Sequence, residues 1–330
     1  MRERNHTVDI IKAIGLVLII LAHINPPKLI YNIRMFDVVL LVFASGLTLK
    51  NVGNNYFDYI FKRFKRLVLP TWIFLVIYFS FCYLLDLFGG NFNYSLKNYI
   101  CSFAFINGGI DYVWIIRVYF LMALISPVIF TLANWSNGKI SRILILTLGL
   151  IIINEAVVRI IRNGNNFAVD FFRGIVLYAF SYGIVEILAC SVRNIEKLKN
   201  LFITVILFVI WIAMWIFSGY KELQPFKYPP QALYLLYGLA VSMFLYLVFC
   251  AKPAFYKGKI KAVIQWLSIN SLTIYLCHII PVTLIYEFEL SIVNINFVLR
   301  YIFVIIVAVV LTVFVNWTKN NIFVRFTVRK

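Results

Sequence analysis

Three ionisable residues lie within the first apolar run of the chain, which extends from Val8 to Pro27. At about 1.5 Å rise per residue, a helix of this length spans a hydrocarbon core of roughly 30 Å. Lys12 and His23 are eleven positions apart, which at about 100° per residue places them within roughly 20° of each other, and Asp9 lies about 60° from Lys12. Each such group costs about 2.5–3.5 kcal/mol at mid-membrane. We therefore expect one polar stripe that faces a bundle interior or a wet cavity.

His23 is the candidate general base on this stripe, because an imidazole exchanges its proton near neutral pH whereas Lys12 stays protonated. It also precedes a Pro-Pro break, where the mouth of a cavity is expected. A histidine inside a membrane also serves as a packing residue that bonds a backbone carbonyl. That structural alternative stays open at this point.

The composition is that of a membrane protein from end to end. The 330 residues are 63% hydrophobic and 13% charged, with a mean hydropathy of +0.91, whereas soluble domains are about 25% charged. No small-residue cleavage site follows His23, so the first run is expected to be a retained helix. Five single cysteines in apolar surroundings predict neither disulfides nor a metal site.

The apolar runs predict an all-α helical bundle of about ten transmembrane helices, forming a single integral-membrane domain over residues 1–330. The predicted spans lie near 8–25, 36–50, 68–88, 112–133, 141–160, 170–191, 201–218, 231–251, 264–286 and 297–317.

Lysine and arginine residues are distributed unequally between alternate loops. Of 31, about 20 fall on one side and about 7 on the other, which by the positive-inside rule makes both termini cytoplasmic. The net charge of +18 is thus mostly a topogenic signal, and we expect no nucleic-acid partner. The location is expected to be the cell (plasma) membrane.

Several polar residues are expected near the outer face of the membrane. Glu155 and Arg159 have the i, i+4 order that pairs on a helix, which is more often a structural lock than a catalytic element. Ser271, Tyr275 and His278 share one helix face. An outward pocket with two histidines, a carboxylate and arginines is predicted, and its members are Glu155, Arg159, Arg173, Arg117, His23 and His278.

The order of motifs resembles the integral-membrane acyltransferases of the acyltransferase-3 type, in their sugar O-acetylating branch. Singly each motif is weak, but together they touch nearly the whole chain. They are Asp9-x-x-Lys12-x-x-Gly15 running to His23, Phe36-Asp37 to Ser45-Gly46, Lys62-Arg63-Phe64-Lys65-Arg66 to Pro70, Val113-Trp114 to Ser126-Pro127, Tyr228-Pro229-Pro230 with Tyr237-Gly238, and Leu267-Ser268 to Tyr275-Leu276-Cys277-His278. Two departures are Lys12, where many members have Arg, and Arg117 after Trp114-Ile115-Ile116, where an aromatic residue is commoner.

This resemblance implies transfer of an acyl group, usually acetyl from cytoplasmic acetyl-CoA, to a hydroxyl of a surface glycan or lipid-linked saccharide, without a metal. His23 then acts as base, and Asp9 holds Lys12 or assists catalysis with Glu155. Arg63 and Arg66, with Lys12, meet the CoA phosphates. The remaining pocket residues, for the acceptor or the oxyanion, are Ser45, Trp114, Arg117, Arg159, Arg173, Tyr275 and His278.

Two rival classes share these features. A polysaccharide transporter or exporter also has about ten spans and an outward pocket, but it moves its substrate without acyl transfer. The membrane half of a sensor or racemase-type protein uses the same fold as a binding module, and no appended soluble domain is visible here.

Overall fold

All regular elements in the described part of the chain are helical in the computed structural model. The structure describes residues 4–53, 55–90, 92, 94–162, 164, 166–251, 253–287 and 296–327. An all-α bundle is thus confirmed for these ranges.

The first half of the chain forms seven helices, joined by short loops. A 3₁₀ turn over Arg34–Phe36 links the second and third. The helices are α1 (His6–Ala22), α2 (Lys28–Ile33), α3 (Asp37–Thr48), α4 (Tyr56–Asp86), α5 (Leu96–Phe103), α6 (Trp114–Trp135) and α7 (Ile140–Ile161).

Within the described ranges, the second half of the chain continues with eight more helices. A π-helical turn over Phe172–Leu177 joins the first two of them into one rod. They are α8 (Phe167–Phe171), α9 (Tyr178–Val192), α10 (Lys197–Phe217), α11 (Ala232–Cys250), α12 (Gly258–Ile269), α13 (Ser271–Cys277), α14 (Ile279–Glu287) and α15 (Phe297–Thr327).

Within the described ranges, eight helical segments are long and apolar enough to cross a membrane, or nine if α12 to α14 form one bent span. The first helix, α1, has 17 residues, which is the short end of the range for a membrane helix. Multiple membrane spans are therefore present, while the count of ten stays a prediction.

Helix α1, which carries the polar stripe, packs against α3, α11 and α12. Helix α3 packs against α1 and α9, and α11 packs against α3. Gly46 allows the α3–α9 contact, because a Cβ there would lie 2.7 Å from the Ala189 Cβ and 2.8 Å from the Glu186 carbonyl oxygen. At Gly238 a Cβ would lie 2.6 Å from the Val39 side chain. Backbones thus approach closely at small residues, as is usual between membrane helices.

Two helical segments differ from the predicted spans. Helix α4 begins at Tyr56, before the span predicted from 68, because the helix includes the basic turn of residues 62–66 that precedes the apolar run. The ninth predicted span is bent by 70° next to Asn270. The Asn270 amide donates to the Trp266 carbonyl and its oxygen accepts from Asn316. Side-chain bonds of this kind compete with the backbone bonds of the helix.

Candidate functional site

His23 and His278 meet directly at the C-terminal end of α1. The His23 Nδ1 atom lies 2.8 Å from His278 Nε2. The ring planes are 13° apart and the centroids 5.0 Å apart, which is the separation of two imidazoles joined edge to edge by one hydrogen bond. Sequence analysis placed both residues in the same pocket but did not predict that they touch.

The hydrogen bonds assign the protons of this pair. His278 Nδ1 is bonded to the Tyr275 carbonyl oxygen, and a carbonyl can only accept. His278 Nδ1 therefore carries hydrogen, its Nε2 is an acceptor, and the bond to it comes from His23 Nδ1–H. A neutral His23 consequently has its lone pair on Nε2. His278 is fully buried and His23 half-buried, so His23 is the member that a substrate can reach.

Other helices hold the end of α1 in place. Tyr286 donates to the His23 carbonyl at 3.2 Å, Arg300 donates to the Ile24 carbonyl at 3.2 Å, and Tyr301 donates to the Val17 carbonyl at 2.9 Å. Tyr286 and Arg300 thus supply donors to carbonyls that follow the last turn of α1 and have no partner within it, whereas Tyr301 adds a bond to a carbonyl inside the helix. The Tyr112 ring packs edge-on against His23 at 4.9 Å. The backbone of α1 is thus held by α14 and α15, and the imidazole itself contacts His278 and the Tyr112 ring.

Lys12 lies nearer the other end of α1, beside the basic turn of α4. It is half-buried, and the charges of both Arg63 and Arg66 act on it. Arg63 is half-buried over the Tyr59 ring at 5.0 Å, and Arg66 is exposed. The two predicted donor-binding arginines of α4 therefore lie close enough to Lys12 for their charges to act on it. Eleven residues of helix, about 16 Å at 1.5 Å per residue, separate Lys12 from His23.

Asp9 is engaged by a different partner from the one expected. Arg4 donates two bonds to its carboxylate, at 2.6 and 2.7 Å, and Ser268 donates a third at 2.7 Å. Tyr256 adds a fourth contact at 3.4 Å. The Asp9 bond raises the pKa of Arg4 above its ordinary value. This geometry ties the start of α1 to α12, and Asp9 pairs with Arg4 instead of Lys12.

The predicted residues Glu155, Arg159 and Arg173 lie in other contacts. Arg159 donates to Glu155 at 3.1 Å, as the i, i+4 spacing predicted, and Glu155 also accepts from the Ala232 backbone N–H at the start of α11. These residues line a cavity of about 520 Å³ between α7, α10 and α11. Arg173 donates to the Ile161 and Arg162 carbonyls. Glu155 thereby joins α7 to α11 and Arg173 bonds to the end of α7, and a role in the reaction stays a prediction.

Tyr275 and Ser45 also have defined surroundings. The Tyr275 hydroxyl donates to the Tyr112 carbonyl, so Tyr275 supports both His278 and the segment that packs on His23. Ser45 is half-buried on α3 and interacts with the Glu186 carboxylate of α9. Glu186 is 1% exposed and sequence analysis missed it. An acidic side chain inside the sixth predicted span was the signal that marked it.

Sequence analysis also missed a buried charged group near His23. Asp37 pairs with Arg34 at 2.5 Å and lies 3.8 Å from Lys227, and the charges of Lys227 and Arg34 act on His23. Burial lowers the pKa of Lys227 while Asp37 raises it. In the sequence the two cations were counted as loop charges. Their position, directly before α3 and before Tyr228-Pro229-Pro230, was the available signal.

Trp114 and Arg117, both predicted pocket residues, lie beside this group. Lys227 Nζ stands 5.7 Å from the Trp114 ring, and Trp114 packs edge-on against Tyr178 at 6.0 Å. Arg117 is 5% exposed and its guanidinium lies 5.0 Å above the Tyr178 ring. Trp114 and Arg117 therefore lie beside buried cations that were not predicted.

Within the described residues, no group of three or more His, Cys, Asp or Glu side chains could hold a metal ion. Comparison with protein-family models matches residues 5–317 to the Acyl_transf_3 family, described as an acyltransferase domain. No curated protein and no solved structure matches the chain.

Proposed function

The chain belongs to the acyltransferase-3 family of membrane acyltransferases, and from that premise we propose what it transfers and how. The donor is acyl-CoA, with acetyl as the acyl group, bound from the cytoplasmic side. The acceptor is a hydroxyl of a cell-surface glycan or a lipid-linked saccharide. The protein acts in the plasma membrane, with both termini in the cytoplasm.

The direct contact between His23 Nδ1 and His278 Nε2, with His278 Nδ1 bonded to the Tyr275 carbonyl, is the observation that carries this proposal. His23 Nε2 takes the proton of the acceptor hydroxyl while the oxygen attacks the thioester carbonyl. The tetrahedral intermediate then collapses, the carbon–sulfur bond breaks, and the thiolate of CoA takes the proton back from His23. His278 receives the His23 Nδ1–H bond throughout and steadies the imidazolium, as the third group of a catalytic triad does for its histidine.

The group of Lys12, Arg63 and Arg66 supports the donor part of the proposal. Three cations within mutual electrostatic range suit the phosphates of CoA, which accept charge-assisted hydrogen bonds. When these cations bind the phosphates, the extended pantetheine arm of CoA runs along α1 towards His23. A long thin donor of this kind suits the distance between the two ends of the helix.

The experiment compares His23→Asn with His6→Asn, a matched control on the same helix. His6 lies at the other end of α1, against the Tyr256 ring. Acyl transfer from labelled acetyl-CoA to isolated surface glycan is measured per mole of detergent-purified protein. Loss of the general base should lower transfer by roughly 10²- to 10⁴-fold in His23→Asn, and His6→Asn should retain it.

Two results contradict the proposal. Near-normal turnover of His23→Asn with reduced protein yield identifies His23 as a packing residue. Movement of glycan by the unmodified protein without any acyl transfer identifies an exporter of the same fold.

A further inference from the structure

The cation cluster is defined as Arg34, Lys227 and Arg117, and aromatic rings connect its two sides: Lys227 lies near the Trp114 ring, which packs on Tyr178, and Arg117 lies above Tyr178. These three cations carry more positive charge than the described residues around them neutralise. Asp37 is the carboxylate that pairs with Arg34 and Lys227. No carboxylate of the described ranges lies within ion-pair distance of Arg117, whose contact is the Tyr178 ring. Two positive charges of the cluster therefore remain without a counter-charge in a buried setting.

Burial raises the free-energy cost of these unpaired positive charges. The exposed fractions are 2% for Arg34, 4% for Lys227 and 5% for Arg117. The Nε atoms of Arg34 and Arg117 are buried and have no hydrogen-bond partner among the described residues. A buried charge is retained only with a partner, and an unmet donor costs free energy. An anion bound between these side chains would neutralise the charge and accept from the unmet donors.

The walls of the cluster suit a sugar. Trp114 packs edge-on against Tyr228 at 5.5 Å and against Tyr178 at 6.0 Å, so the three rings form adjoining surfaces. Tyr228 is 47% exposed and Trp114 is half-buried, which leaves this side open to an entering ligand. Aromatic faces of this kind combine apolar contact with a polar edge.

The cluster is also next to the proposed reaction centre. Lys227 and Arg34 are close enough for their charges to act on His23, and the Tyr112–Trp114 segment connects the His23 contact to the aromatic walls. An anion held here would be part of the same molecule that presents a hydroxyl to His23.

We propose that the cation cluster binds the anionic group of the acceptor, so that the acceptor is an acidic saccharide. This inference rests on the proposed function, since it names the class of acceptor for the same site. The anion is either the carboxylate of an acidic sugar or a phosphate carried by the saccharide. Both accept charge-assisted bonds from guanidinium and ammonium groups.

A binding experiment tests the subsite without any transfer assay. Thermal unfolding of the detergent-purified protein is followed with glucuronate, inorganic phosphate or neutral methyl glucoside added. Either anion should raise Tm more than the neutral sugar does, because a ligand that binds only the folded state stabilises it. The anion with the larger effect tells the carboxylate source from the phosphate source.

Variants then locate the effect. Arg117→Gln and Lys227→Gln should each weaken anion binding by roughly 10- to 100-fold, the effect of one charge-assisted bond. Arg117→Lys keeps the charge and should retain part of the binding. Lys221→Gln, an exposed cation of the same connection, is the matched control and should bind the anion as the unmodified protein does.

Transfer to matched acceptors completes the test. A glucuronate-bearing oligosaccharide should have a lower KM than its methyl ester, and Arg117→Gln should remove that difference. Anion stabilisation without transfer to any acceptor would contradict the proposed function but keep the subsite. Equal stabilisation by neutral and anionic sugars, or anion effects that persist in both Gln variants, would overturn the subsite.

Discussion

Replacing His278 tests the proton order of the histidine pair, since this residue is fully buried and acts through His23. His278→Gln leaves an amide oxygen near the position of Nε2, where it accepts from His23 Nδ1–H. His278→Asn is shorter and loses that acceptor, although it stays polar. The two variants therefore differ mainly in the bond under test.

The magnitude follows from the change in charge on His23 during the reaction. The 2.8 Å bond joins two neutral rings at rest and contributes about 0.5–1.5 kcal/mol, but about 1.5–3 kcal/mol once His23 is protonated. The difference, about 1–1.5 kcal/mol, acts in the transition state alone and corresponds to roughly 5- to 13-fold in kcat. Without the acceptor, part of the enzyme also holds its proton on Nε2 and cannot act. For His278→Asn we expect a total loss of roughly 10- to 100-fold.

The assay is turnover per mole of monodisperse protein, with the KM for acyl-CoA measured in parallel. We expect an unchanged KM for the donor and higher turnover for His278→Gln than for His278→Asn. A purely structural His278 would lower the Tm of both variants and leave turnover per folded molecule unchanged. His278→Asn turning over as fast as His278→Gln would refute the proton order.

Two further predictions concern the donor end and the packing of α3. Arg63→Gln should raise the KM for acyl-CoA roughly 5- to 150-fold, which corresponds to about 1–3 kcal/mol of lost binding free energy. Lys62→Gln, which replaces an exposed neighbour, should leave this KM nearly unchanged. Equal donor kinetics in both variants and the unmodified protein would make this basic turn purely topogenic. Gly46→Ala should destabilise the protein by about 1–3 kcal/mol, since the new Cβ meets the backbone of α9. Gly149 has open space around it, so Gly149→Ala should leave Tm unchanged or raise it. A Tm drop for Gly149→Ala alone would contradict the packing argument.

Features set by helix geometry alone were predictable from the sequence. The spacing of Lys12 and His23 predicted one stripe, and the spacing of Glu155 and Arg159 predicted a local pair that the structure contains. Both arguments need only the helical repeat of 3.6 residues. The all-helical bundle followed in the same way from the length of the apolar runs.

Features that depend on how distant segments pack could not be predicted in this way. His23 and His278 are 255 residues apart in the chain, and His278 lies beyond the bend beside Asn270. In the sequence Arg34 and Lys227 have the positions of loop charges, but in the structure both are buried beside Asp37. Asp9 was expected to hold Lys12, but Arg4, which precedes the helix, takes its carboxylate.

The separation of Lys12 and His23 along α1 also bears on energy coupling. In the proposed reaction an acyl group leaves through the outer end of the helix, while the hydroxyl hydrogen departs on the CoA thiol through the inner end. Both exchanged parts are neutral, so no net charge crosses the bilayer in a turnover. A membrane potential does work only on charge that moves through it. Acylation at the cell surface would then be driven by the free energy of the thioester alone. Its equilibrium constant would be the same with and without a membrane potential.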